Sequence, residues 1–236
     1  MRRDRVRVTG PDAEAFLQGQ LSQDIAAIPV GGSALSFILQ PQGKVDALVE
    51  VIRAGGDEFV LETDAGWGEA VVARLSRFKL RTKADIELLA PGKGGEGAGG
   101  GEDGDGGDGG EDEDARIRRA FPKMGHEIDE KTIPAELGQD IIDRAVSFTK
   151  GCYTGQELVA RIDSRGGNVP RHLRRLELAS EGAPVGATVE VDGKTVGTLT
   201  SVAGDLALAF VARGVVPPAD GTIRWETGST TARIHP

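Results

Sequence analysis

Residues 96–114, EGAGGGEDGDGGDGGEDED, contain only Gly, Asp, Glu and a single Ala. Such a run has almost no apolar surface to bury against the entropy of ordering its glycines. The stretch 91–114 therefore reads as a disordered acidic, glycine-rich linker. Any core must be assembled from residues 1–90 and those after 114. The run also explains the charge. It holds nine of the 37 acids and no Lys or Arg, leaving 28 acids against 28 bases elsewhere. The net charge of −9 is thus a property of the linker and carries no message about partners of the folded part. The run lacks the alternating ligand pattern of a calcium-binding EF-hand loop.

At 236 residues the chain can bury a sizeable core. The basic start MRRDRVRVTG is not followed by an apolar stretch, and no run of about 18 apolar residues occurs. A membrane-spanning role and a standard export signal are not expected, and cytoplasm is the expected compartment. One cysteine cannot form an intramolecular disulfide, so the fold must stand on packing.

Thr9 and Asp12 are candidate caps for a helix over 11–21, with Pro11 in its first turn and Phe16, Leu17 and Leu21 on one face. SALSFILQ and KVDALVEVIR are strand-like runs joined at PQG, and DEFVLET follows after GG as the third strand of a meander. GWGEAVVARLSRF carries Val71, Val72, Leu75 and Phe78 at helical spacing, and TKADIELL reads as a returning strand. An α+β layer with helices on one face is expected. Beyond residue 173, RRLEL, ATVEVDGKTVGTLTSV, DLALAFVAR and GTIRWET are short strand candidates, with DG a hairpin signal. They predict a small antiparallel barrel or sandwich over 173–236.

The single cysteine sits in KGCYTGQE, residues 150–157. Thr154 with Glu157 reads as a capping box, and Leu158, Val159 and Ile162 form an apolar stripe after it, so Cys152 is expected just ahead of a helix. The exposed N–H groups of a helix start favour a thiolate over a thiol, and Lys150 would add to the effect. An activated nucleophile, a redox-sensitive thiol, a metal ligand and a small packed hydrophobe all remain open on this pattern. His126, His172 and His235 have no spacing diagnostic of a thiol hydrolase, and one cysteine with scattered histidines provides no metal or iron–sulfur ligand set, so no resident metal is expected. Arg161, Arg165, Arg171, Arg174 and Arg175 form a basic stretch suited to an anion or to a solvated face. No RNP motif occurs, and GKGGEG at 92–97 falls in the linker, not between strand and helix, so direct nucleic-acid or nucleotide binding by these motifs is not expected.

KGCYTGQELVARIDSRG closely resembles the signature of the folate-binding YgfZ family, relatives of the glycine-cleavage T protein. AFLQGQLSQDI, FILQPQGKV, DEKTIPAELG and VGTLTSVAGDLALAFVAR resemble that family's first helix, first hairpin, pre-cysteine segment and C-terminal barrel. The resemblance implies an aminomethyltransferase-type, folate-binding cloverleaf: a composite α+β region over 1–90 and 115–172 and a C-terminal antiparallel barrel. It implies an accessory protein in assembly or repair of iron–sulfur enzymes, including tRNA-modifying ones. Tetrahydrofolate or a related folate is the implied ligand, and iron–sulfur client or assembly proteins are the implied partners. A folate-dependent aminomethyltransferase or demethylase and a non-catalytic scaffold are the alternatives, and whether the protein is an enzyme stays open. Carried over by position, Cys152 is the implied functional residue, with Lys150, Tyr153, Gln156, Glu157 and Arg118 as ligand-binding candidates. Two positions depart from the aminomethyltransferase pattern. GKVDALVE offers only Asp46, one place early, with Ala47 and Leu48 following, where those relatives have paired aspartates, and RIRRAFP puts Arg118 where they have a glutamate that reads the pterin edge.

Overall fold

The computed structural model describes residues 3–90 and 113–236. The linker expected over 91–114 falls outside the described residues, except that Glu113 and Asp114 open a short helix, α3 (Glu113–Arg118). The N-terminal half contains strands β1 (Arg3–Thr9), β2 (Ser33–Leu39), β3 (Val45–Arg53), β4 (Glu58–Asp64) and β5 (Asp85–Leu88), with helices α1 (Ala13–Gln20) and α2 (Gly68–Phe78). The meander β2–β3–β4 and both helices stand where the periodicity puts them. Asp12 is at the α1 N-cap but its side chain does not cap the helix; Asp12 Oδ2 instead accepts the Lys83 amide at 2.7 Å.

β1 is a strand that periodicity alone does not reveal, because its arginines obscure it. Arg3, Arg5 and Arg7 alternate with Asp4, Val6 and Val8, and a strand sends those two sets to opposite faces. Val6 and Val8 are fully buried, while Arg5 pairs with Glu62 at 3.1 Å and Arg7 with Glu87 at 2.8 Å on the neighbouring strands. β1 thereby becomes an interior strand of an antiparallel sheet of order β2-β3-β4-β1-β5. Phe16 and Leu17 of α1 and Val71 and Leu75 of α2 bury against Val6, Val8, Phe37 and Leu61 of the sheet. Each such side chain contributes about 2 kcal/mol.

The chain then runs through α3, a 3-10 turn Pro134–Leu137, α4 (Gln139–Ala145) and α5 (Gln156–Asp163). It ends in β6 (Arg171–Leu178), β7 (Thr188–Val191), β8 (Lys194–Ala203), β9 (Leu206–Ala212), β10 (Ala219–Trp225) and β11 (Gly228–Ile234). These six close as a barrel in the order β10-β11-β6-β9-β8-β7 because β10 also pairs with β7. Closure leaves no unpaired edge and decides between barrel and sandwich. Asp192 and Gly193, both at positive φ, form the tight β7–β8 turn signalled by DG.

A buried polar cluster bolts α3 to the barrel. Arg116 donates to Glu113 Oε1 at 2.7 Å, to Glu127 Oε2 at 3.0 Å, to the Phe121 carbonyl at 2.6 Å and to Ser201 Oγ of β8 at 2.6 Å. Ser201 in turn donates to Glu127 Oε1 at 2.7 Å. Glu127, whose side chain is 0% exposed, is thus satisfied on both oxygens.

Candidate functional site

The cysteine segment is pinned from two sides. Lys150 Nζ donates to the carbonyls of Gln18, Leu21 and Gln23 at 2.7, 2.9 and 2.8 Å, closing the exposed C-terminal end of α1. Two residues past the cysteine, the Thr154 amide donates to the Gly19 carbonyl at 3.0 Å. Gly155 then meets the turn of the β2–β3 hairpin. Its φ is +82°, and a Cβ there would lie 2.4 Å from the Gln40 oxygen and 2.8 Å from Leu39 Cβ. Gly43 in that turn is the counterpart, at φ +86°, where a Cβ would lie 2.4 Å from Leu158 Cβ and 2.9 Å from the Gly155 oxygen. Only glycine at both positions permits this approach. Between these anchors Cys152 is exposed to solvent.

Several sequence expectations change at this point. The capping box does not form: Gly155, not Thr154, is the N-cap, and Thr154 Oγ1 points to the Gly19 carbonyl at 3.5 Å. Gln156 Oε1 reaches back to accept the Tyr153 amide at 3.0 Å, doing the work assigned to Glu157, which is exposed. The first helical residue is Gln156, so Cys152 lies four positions ahead of α5, and the field of a helix end fades over about one turn. An ammonium has three donors, and all three of Lys150 are taken by carbonyls, so it supplies none to the thiol. Burial draws Lys150 down from 10.5 to about 8. Tyr153, 5.3 Å from Lys150 Nζ by its ring centroid, packs against the main core, and burial pushes its hydroxyl up to about 12.

The same hairpin forms one wall of a groove of about 610 Å³. Trp67, Val71, Met124 and Ile128 make its apolar sides, and Asp46, Arg74, Arg77, Asp129 and Glu130 supply polar groups. Arg74 Nε donates to Asp46 Oδ2 at 2.8 Å, its Nη2 to the Leu39 carbonyl at 2.7 Å, and its guanidinium lies 3.8 Å from the Phe78 ring centroid. Asp46, the single acid of GKVDALVE, is therefore already neutralised. Asp129 is partly desolvated, yet the Lys131 amide and the Thr132 hydroxyl hold it below the usual carboxylate range. Gln40 Nε2 donates to the Glu130 carbonyl at 3.2 Å, tying groove and cysteine segment to one hairpin.

Lys150, Cys152, Tyr153 and Gln156 are brought together, but none of them lines this groove, nor does Glu157. Arg118 stands elsewhere, exposed and paired with Asp114 at 2.8 Å one helical turn back. Of the basic stretch, Arg171 is committed to both oxygens of Glu136 at 3.2 and 3.3 Å, and Arg175 donates to the Arg118 carbonyl at 3.4 Å and faces Glu177. Trp67, Arg74 and Met124 escape a reading of the sequence because they are far apart in the chain; the glycine of PQG is the one local sign that something packs against that turn. Among the described residues no group of three or more His, Cys, Asp and Glu is placed to hold a metal ion, and no helix is long and apolar enough to cross a membrane.

No family model matches the chain. It is 28% identical over 224 residues to an uncharacterized protein of Haemophilus influenzae, covering 83% of this chain and 80% of that one. It is 26% identical over 204 residues to a mitochondrial iron–sulfur cluster assembly factor IBA57 homolog of Pyricularia oryzae, and 25% identical over 214 residues to the tRNA-modifying protein YgfZ of Pectobacterium atrosepticum. Each match covers 68% of this chain, but the chain spans only 52% and 64% of those two proteins. The glycine cleavage system aminomethyltransferase T of Bartonella henselae has the same fold, with a TM-score of 0.77 at 15% identity over 99% of this chain and 83% of that one. The chain is thus similar in sequence to proteins bearing the YgfZ and IBA57 names and has the fold of an aminomethyltransferase.

Proposed function

We propose that the chain is an accessory factor for assembly or repair of iron–sulfur clusters in client enzymes, tRNA-modifying ones among them, with Cys152 as its reactive contact. The observation that carries this reading is an exposed thiol on backbone pinned by Lys150, Thr154 and Gly155. Such a thiol has no packing role and a fixed position, which suits transient engagement of a client's iron or sulfur. The names of the IBA57 and YgfZ relatives support the same class of work.

A folate-like molecule is proposed for the groove at Trp67. The donor set fits: flat apolar walls for a heterocycle, carboxylates at Asp129 and Glu130 for its ring N–H groups, and Arg77 for an anionic tail. Aminomethyl transfer is disfavoured as the activity, because the one aspartate of that segment, Asp46, falls one place early and is held by Arg74.

The test is complementation in cells lacking their own relative, reading iron–sulfur enzyme activity and tRNA modification. Cys152→Ala should fold normally and fail to restore either; full restoration refutes the role. Titration with tetrahydrofolate should give heat that Trp67→Ala abolishes and Arg118→Glu leaves unchanged. No heat with the wild-type protein removes folate from the proposal without touching Cys152.

A further inference from the structure

A second cleft, of about 700 Å³, lies on another part of the molecule and shares no lining residue with the groove at Trp67. One wall is the polar face of the sheet, with Arg3 of β1, Leu35 of β2 and Glu50 of β3; the other is Arg119 and Phe121 after α3 with Arg144 of α4. Two of these guanidiniums, Arg3 and Arg144, face the cleft from opposite walls.

The one carboxylate of the lining is already served. Glu50 accepts from Ser33 Oγ at 2.9 Å and from Arg3 Nη1 at 3.4 Å, which leaves most of the five N–H donors of Arg3 for another acceptor. Arg144 has a 3.6 Å pairing with Asp140, both side chains more than half exposed, at 54% and 80%. Pairs of this kind contribute little and yield readily to a better acceptor. Arg144 also lies 5.7 Å from the Phe121 ring centroid, and Phe121 and Leu35 both pack partly buried against the core. The cleft therefore combines guanidinium donors with the Phe121 ring, over which Arg144 now lies and which it uncovers as it turns to a bound phosphate. Guanidinium forks match phosphate oxygens in pairs, and an aromatic face takes a flat ring.

We propose that this cleft binds a phosphate monoester carried on an aromatic body, the dianion against Arg3 and Arg144 and the ring against Phe121. Binding is charge-led and weakens as ionic strength rises.

The experiment is calorimetric titration of the full chain at low salt with adenosine 5′-monophosphate, inorganic phosphate and adenosine. The monophosphate should bind more tightly than phosphate alone, and adenosine should give no heat. The double variant Arg3→Gln/Arg144→Gln should weaken the monophosphate at least about tenfold. The single charge reversal Arg144→Glu, at an exposed helical site, serves if the double variant melts early and should weaken binding similarly. Arg77→Gln, in the other groove, should leave the monophosphate affinity of this cleft unchanged. Adenosine binding as well as its monophosphate, no binding by the wild type at millimolar concentration, or full affinity in the Arg144 variants would overturn the proposal.

Discussion

Replacing Gly155 by alanine tests whether the cysteine segment is clasped to the hairpin as described. Two costs add. A non-glycine residue at φ +82° sits in the left-handed region, at about 1–2 kcal/mol. The new Cβ also falls 2.4 Å from the Gln40 backbone oxygen and 2.8 Å from Leu39 Cβ. Neither is the loose end of a side chain, so hairpin or helix must move, and overpacking of this kind costs about 1–3 kcal/mol. The sum is about 2–5 kcal/mol. Two other glycines separate the terms. Gly166, at φ +73° with nothing within 4 Å of a Cβ, carries only the conformational cost, so Gly166→Ala should lose about 1–2 kcal/mol. Gly151 has neither constraint, and Gly151→Ala should stay within about 0.5 kcal/mol of wild type. Urea unfolding of the three variants gives the comparison, and the rate at which Cys152 reacts with an aromatic disulfide reports whether its loop has shifted. Equal losses for Gly155→Ala and Gly166→Ala would refute the clasp. Gly43→Ala combined with Gly155→Ala should cost less than the two separately, since either alone already opens the same contact.

Lys150→Met leaves the Gln18, Leu21 and Gln23 carbonyls without their donor and should cost about 2 kcal/mol at pH 7, read by urea unfolding. The folded chain releases the Lys150 proton near pH 8, whereas the unfolded chain keeps it until about 10.5; this group therefore makes stability rise with pH across that window, and in Lys150→Met that rise should vanish. Arg116→Met strands the fully buried Glu127 and should lower stability by about 3–5 kcal/mol, seen as a large fall in melting temperature, with Ser201→Ala showing a smaller loss. Cys152→Ala should leave the urea midpoint within about 0.5 kcal/mol of wild type, because an exposed side chain contributes little to packing; a large destabilisation would mean that the thiol is structural.

Some of this molecule can be read locally and some cannot. Periodicity locates α1, α2, the β2–β4 meander and most barrel strands, because each buries one face whose spacing is written in consecutive residues. β1 stays hidden because the arginines outnumber the valines until cross-strand glutamates are known, and those lie far along the chain at Glu62 and Glu87. The segment KGCYTGQE is legible as the site of interest, but its internal logic is not. Thr154 and Glu157 match a capping box as a string, whereas the docked hairpin turn demands glycine at 155 and forces the chain into the left-handed conformation that displaces the box.

By itself the sequence determined the composition of each layer, the single thiol, and the acidic, glycine-rich run at 96–114, because these depend on which residues are neighbours in the chain. Tertiary structure alone decided that Lys150 spends its charge on the Gln18, Leu21 and Gln23 carbonyls at and just past the end of α1, that Asp46 is cancelled by Arg74, and that Arg118 stands apart from the groove. The reason is physical: the partners of a charge or a tight turn are chosen by proximity in space, and proximity across distant segments follows only from how the layers pack.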